Sequence, residues 1–494
     1  MTRQRSTRWA AGATAVALAL AAQISLAPSA QARTAPPQTG SEATAEQCPT
    51  GAVCGTLTVP LLRGTTDRRT THVAYALIPR KDTSRPAAGT IAVNPGGPGG
   101  AVIPLAQAYS AQLEALRRDH DVLLMDPRGT GRSDWQSCDA PPDVFTYPKP
   151  RLQQAMERCA QKLGDRRDAY TSANIADDLD AVRAGLGIRR LVLFGQSYGT
   201  YLMSVYADRH PTRVDKIVLS GAYPLTTDPW MRPNARSVAT ALTAFCRGSR
   251  TCAPDEAVSD TAALAARLRH HPIRYTLTAA GHPRTQVIDE GELVKLHTLY
   301  AGGSPEVWPR LTTAVRQALR GHPDAIVRLA REFYAPVSDL RTAGTQHSAA
   351  MAFSVICHDY AVPYHRGASL PRRQDQLLQG QRRIGDRPFA PFSAAGWTEG
   401  SMDTVDACIR WPGRTDTTYR PTGHMPDVPV LVLAGDLDTN TGAVHGRQAA
   451  AQFRRSTFVL VPGAGHTPDQ GPCATSLLND FVRTGHLTRT CAAP

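Results

Sequence analysis

The chain has 494 residues, with 55 Lys and Arg against 42 Asp and Glu, and a formal charge of +13. Its basic residues are scattered singly or in pairs among acids, not gathered with aromatics into a stripe, which argues against a nucleic-acid groove. This length exceeds one simple domain and requires either two domains or one domain with a large insertion.

Taken in chain order, the first 32 residues have the pattern of an export signal. Arg3, Arg5 and Arg8 form a basic start, Ala11 to Ala22 an uncharged apolar run, and Ala30-Gln31-Ala32 a small-residue cleavage site, with cleavage expected after Ala32. The apolar run is shorter than the roughly 20 residues that span a bilayer, so an exported, extracellular product without a membrane span is expected. Loss of the three leader arginines leaves a charge of about +10, which allows weak attraction to anionic cell-wall polymers. Residues 33–46 lack apolar periodicity and are predicted to form a flexible lead-in. The 10 cysteines of an exported chain point to disulfides. Sequence neighbours suggest the pairs Cys48 with Cys54, Cys138 with Cys159, Cys246 with Cys252, Cys357 with Cys408 and Cys473 with Cys491, although spacing alone leaves the connectivity open.

An alternating, β-branched stretch from Thr70 to Ile78 predicts a strand, and short apolar runs follow at Thr90 to Val93, Val122 to Met125, Leu191 to Phe194 and Ile217 to Leu219. Similar runs return at Val430 to Leu433 and Phe458 to Val461, as expected of parallel strands covered on both faces. Between the strands, Ile175, Leu179, Val182 and Leu186 recur at helical spacing behind Ser172 as a predicted N-cap, with Gly187 suited to end the helix. The alternation argues for an α/β fold. From about residue 224 to 427 helical patterns replace strands, one starting at Ser304-Pro305 and ending at Gly321, another running through Ile326, Leu329 and Phe333. The expected organisation is therefore a sheet domain in two parts, 47–223 and 428–494, interrupted by a mainly helical cap, 224–427.

Gly195-Gln196-Ser197-Tyr198-Gly199 lies between the run ending at Phe194 and a helix-compatible segment, the strand, sharp turn and helix context of a nucleophile elbow in an α/β-hydrolase fold. A serine needs a base and a carboxylate that orients it, and in this fold they follow in the order Ser, Asp, His. Asp438 and His466 each come just after a late strand, where active sites of open α/β sheets are built, with Asp436 as the rival carboxylate. Asn94-Pro95-Gly96-Gly97-Pro98-Gly99-Gly100 follows another strand and is placed to supply backbone donors, so Gly97 N–H and Tyr198 N–H are the expected oxyanion hole. The stretch Asp126 to Ser133 lacks phosphate-loop spacing and is read as a structural turn beside the site, and no metal-ligand spacing implies a metal or other cofactor.

Together with Cys48 to Cys54 and the following Gly55-Thr56-Leu57-Thr58-Val59-Pro60, these segments resemble the secreted tripeptidyl aminopeptidases related to prolyl iminopeptidases. Two departures, Ser220-Gly221 for the family's usual Asp-Gly and Thr441-Gly442 for its Thr-Pro, leave the triad untouched. The resemblance implies release of short N-terminal peptides, tripeptides foremost, from peptides with a free N-terminus, by a monomer, with the triad on Ser197, Asp438 and His466. An aminopeptidase also needs a carboxylate for the substrate's α-ammonium, and the cap residue Asp359 is the candidate. The same fold also serves carboxylic-ester hydrolases and catalytically silent wall- or peptide-binding proteins, which fold alone does not separate.

Overall fold

The computed structural model describes residues 48–141, 144–279, 282–338, 347–413 and 418–491. The expected leader and lead-in lie outside these residues.

Eight strands form one sheet: β1 Val53–Pro60, β2 Thr70–Ile78, β3 Gly89–Asn94, β4 His120–Met125, β5 Leu191–Gln196, β6 Val214–Ser220, β9 Val430–Gly435 and β10 Ser456–Val461. Their spatial order is β1-β2-β4-β3-β5-β6-β9-β10. Pairing is antiparallel from β1 to β2 and from β2 to β4, and parallel from there on. Every residue of β5 and β9 is buried. Side chains alternate between faces, so Leu191 and Leu193 enter one apolar core while Val192 and Phe194 enter the other. Two covered faces explain why these strands appear in the sequence as continuous apolar runs.

The segment between β6 and β9 is mainly helical but holds one strand pair that the sequence reading missed, β7 Ile273–Ala279 against β8 His282–Ile288. Much of the segment packs around its own core, with Trp308, Leu311 and Val315 inside it. The helix Ala349–Asp359 instead contributes Met351 and Phe353 to the core of the main sheet. The helix predicted behind Ser172 runs Ser172–Gly185, and its N-cap is Thr171, whose hydroxyl accepts the Asn174 N–H at 3.2 Å. Ser172 is already helical, and its hydroxyl meets Tyr198 Oη at 2.8 Å.

Five disulfides join the cysteine pairs suggested by sequence proximity. Cys357–Cys408 closes the longest interval, 51 residues, which in a chain-entropy treatment is worth about 4 kcal/mol. It ties the end of the helix Ala349–Asp359 to the stretch just beyond residue 403. Among the described residues no helix is long and apolar enough to cross a membrane.

Candidate active site

Four neighbouring parallel strands, β3, β5, β6 and β9, and the edge strand β10 beside them end on one rim, and the loops leaving them carry the expected chemistry. Ser197 stands at the turn from β5 into the helix Tyr198–Arg209 with φ 53° and ψ −126°, a conformation seldom adopted by a residue with a side chain. The turn is held by Ser197 N–H donating to Ser220 O of β6 at 3.0 Å. Space dictates both flanking glycines: a Cβ on Gly195 would collide with the Gly199 carbonyl, and one on Gly199 with the Asn94 carbonyl.

His466 and Asp438 meet on the far side of β6. His466 Nδ1 lies 3.1 Å from Asp438 Oδ2, and the two side chains are 3% and 0% exposed. Asp438 also accepts from Asn440 N–H and Thr441 N–H at 2.8 Å each, and from Thr441 Oγ1 at 2.8 Å. Burial works against its ionisation, but the neighbouring His466 and these donors hold its carboxyl below the usual range. The rival Asp436 accepts Gly463 N–H at 2.7 Å and so fastens the turn before His466. With Nδ1 committed to the carboxylate, His466 Nε2 is buried and has no hydrogen-bond partner among the described residues. Gly221 makes room for the ring, since a Cβ there would lie 3.1 Å from it.

The glycine loop after β3 folds against the elbow. A Cβ on Gly96 would lie 2.7 Å from Gln196 O and 2.8 Å from Ser197 Cβ, so only glycine permits this approach. Gly96 N–H is used by Asn94 Oδ1 at 3.0 Å, whereas Gly97 and Tyr198 N–H donate to no acceptor among the described residues. Gly97, Ser197 and Tyr198 line one cleft. The Asp126 turn is structural: its carboxylate takes Val102 and Ile103 N–H at 2.7 and 2.8 Å, and Arg128 forms a fully buried pair with Asp178 at 2.6 Å.

Asp359 does not reach the cleft. It ends its helix pointing at the start of the helix Ser172–Gly185, where its carboxylate accepts Ser172 N–H at 2.7 Å. The positive end of that helix explains the attraction. Asp359 is 3% exposed and absent from the cleft lining, so burial raises its carboxyl pKa while the Ser172 donor opposes the rise.

Two site residues escaped the sequence reading. Asp469, fully buried, accepts from Gln196 Nε2 at 2.5 Å and Gln112 Nε2 at 2.6 Å, which clamps the loop after His466 to the residue before Ser197. His445 lines the cleft at 1% exposure, both ring nitrogens lack a partner among the described residues, and burial lowers its pKa to about 4. Neither belongs to a motif, so no local signal marks them. Among the described residues no group of three or more His, Cys, Asp or Glu is arranged to hold a metal.

Burial also lowers His297 to about 4, whereas the unfolded chain takes up that proton near pH 6.5. Between these values the unfolded state binds more protons, so stability contributed by neutral His297 is present above pH 6.5 and lost as the pH falls toward 4. The loss amounts to about 3 kcal/mol. Urea unfolding of wild type and His297→Gln at pH 7 and pH 4.5 should show the smaller acid loss in the variant; equal losses would contradict the assignment.

A family profile described as alpha/beta hydrolase fold matches residues 89–250, and a second, described as TAP-like protein, matches residues 392–492. With the sheet order and elbow above, the chain is a serine hydrolase of the α/β-hydrolase fold. Within that class its C-terminal part is similar to the TAP-like proteins. It is 28% identical to a protein named Serine protease Hip1 from Mycobacterium tuberculosis, over 93% of this chain and 91% of that one. It is 25% identical to a Tripeptidyl aminopeptidase from Streptomyces lividans, over 89% and 83%. It is also 26% identical to a Carboxylesterase B from Mycobacterium tuberculosis, over 81% and 79%.

Proposed function

We propose that the chain is an exported aminopeptidase that releases short N-terminal peptides, tripeptides foremost, through an acyl-enzyme on Ser197. The observation that carries this reading is the His466 ring, held by Asp438 through Nδ1 and left with an Nε2 that has no partner among the described residues, on the rim that carries the elbow serine. His466 Nε2 takes the Ser197 Oγ proton as Oγ attacks the scissile carbonyl, and Gly97 and Tyr198 N–H receive the oxyanion. The imidazolium returns the proton to the leaving amine, the C–N bond breaks, and water, deprotonated by the same ring, cleaves the ester.

Peptide action is favoured by the relatives named as a serine protease and a tripeptidyl aminopeptidase. Export is favoured by the basic and apolar leader and by five disulfides. The relative named as a carboxylesterase favours a second reading, ester hydrolysis by the same triad.

Steady-state rates for a free-amine tripeptide anilide and its N-acetylated twin separate the two. The proposal expects kcat/KM to fall at least about a hundredfold on acetylation, a loss of about 2.7 kcal/mol of transition-state binding. Equal rates would reject the aminopeptidase and leave the esterase.

A further inference from the structure

The cleft that holds Ser197 has an uneven electrostatic lining. In a chain of net charge +13, no Lys or Arg lines it among the described residues, and Asp403 is the single carboxylate among them. The nearby cation, Lys149, is committed elsewhere: its Nζ pairs with Asp406 at 2.9 Å and donates to Thr398 O and Ser401 O. Among the described residues, no cationic side chain pairs with Asp403. A carboxylate partly withdrawn from water without a counter-ion is costly, and burial pushes the Asp403 carboxyl upward although Lys149 opposes this at a distance. The same cleft holds the rings of Tyr223 and Tyr360, whose hydroxyls meet at 2.6 Å and whose planes stand at 83°. Both rings line the cleft, as does Trp397. A carboxylate among aromatic rings, with no resident cation, suits an organic ammonium, which gains from the charge and from the ring faces together.

We propose that Asp403, in the cleft it shares with Tyr223 and Tyr360, binds the ammonium group of the substrate's acyl portion and thereby sets its specificity. This rests on the reading of Ser197 as the nucleophile of the same cleft. It also explains how the site can favour a free N-terminus while Asp359 is occupied at Ser172. The ammonium can be the α-amine or a lysine side chain, and the test separates these sources.

The probes are trialanine, N-acetyl-trialanine and N-acetyl-Lys-Ala-Ala, used to protect the full-length protein from fluorophosphonate labelling. Protection needs binding alone, so the result stands whether or not peptides are the cleaved substrates. Wild type should be protected at least tenfold better by a cationic probe than by N-acetyl-trialanine. Preference for trialanine identifies the α-ammonium, and preference for the lysyl probe the side chain. Asp403→Asn should abolish the tenfold preference while labelling at the wild-type rate without ligand, which reports an intact fold and nucleophile. Asp403→Glu should restore part of the preference, and Asp359→Asn should leave it unchanged in whatever fraction of that variant folds. Equal protection of wild type by all three probes, or a preference that survives in Asp403→Asn, would overturn the proposal. Failure of wild type to label at all would instead reject the Ser197 reading.

Discussion

Ser197→Ala should lower kcat on a peptide anilide by about 10⁶-fold and abolish fluorophosphonate labelling, with little change in KM or thermal stability. The size follows from the division of labour. Without the hydroxyl no acyl-enzyme forms, and His466 has no nucleophile to activate, so only binding and the oxyanion donors remain. Stability should hold because the Ser197 backbone, through its N–H to Ser220 O and its carbonyl accepting Thr200 N–H at 2.9 Å, maintains the turn. Residual activity within tenfold of wild type, measured on protein freed of host hydrolases, would place the nucleophile elsewhere.

Asp438→Asn should lower kcat by about 10⁴-fold at neutral pH. The carboxylate accepts a hydrogen bond from His466 Nδ1–H at 3.1 Å, which leaves Nε2 unprotonated and free to accept the serine proton. An amide at that position can present its NH₂ to Nδ1, favouring the tautomer whose Nε2 carries the hydrogen and cannot act as base. Asn440 N–H, Thr441 N–H and Thr441 Oγ1 all donate to the carboxylate, so the substitution also sets donors against an amide nitrogen unless the group turns. Asp436→Asn is the control: that carboxylate braces the turn at Gly463, and its loss should cost at most about tenfold in kcat. Comparing the two variants by single-turnover kinetics isolates chemistry from binding. A larger loss in the Asp436 variant would reverse the assignment.

Much of this site could be read from the sequence because it is built from strand ends. A continuous apolar run marks a strand covered on both faces, and the residues just after it fall on the rim, so Ser197, Asp438 and His466 could be located by counting from β5, β9 and β10. The glycines near Ser197 were legible for the same reason, since close backbone approach leaves a residue type as its trace. β7 was different. Ile273, Tyr275 and Leu277 do alternate with polar residues, but the pattern stands amid long helical stretches and its partner β8 alternates poorly.

Residues of the segment between β6 and β9 left no comparable trace. Asp359 stood out beside Cys357 and His358, yet the helix it ends directs it to the Ser172 amide. Asp403 lies in a turn without a motif, and its place in the Ser197 cleft depends on how residues 401–411 pack, with Cys408 bonded to Cys357. Such long-range placement is a matter of tertiary packing, not of local periodicity.

Tripeptide release from free N-termini can be read from a timed digestion of a ten-residue peptide and its N-acetylated twin, with products weighed by mass spectrometry. The free peptide should first yield its N-terminal tripeptide and the complementary heptapeptide, Ser197→Ala should yield neither, and the acetylated twin should remain intact. Internal cleavage, or equal cleavage of both peptides by the wild-type protein, would contradict it.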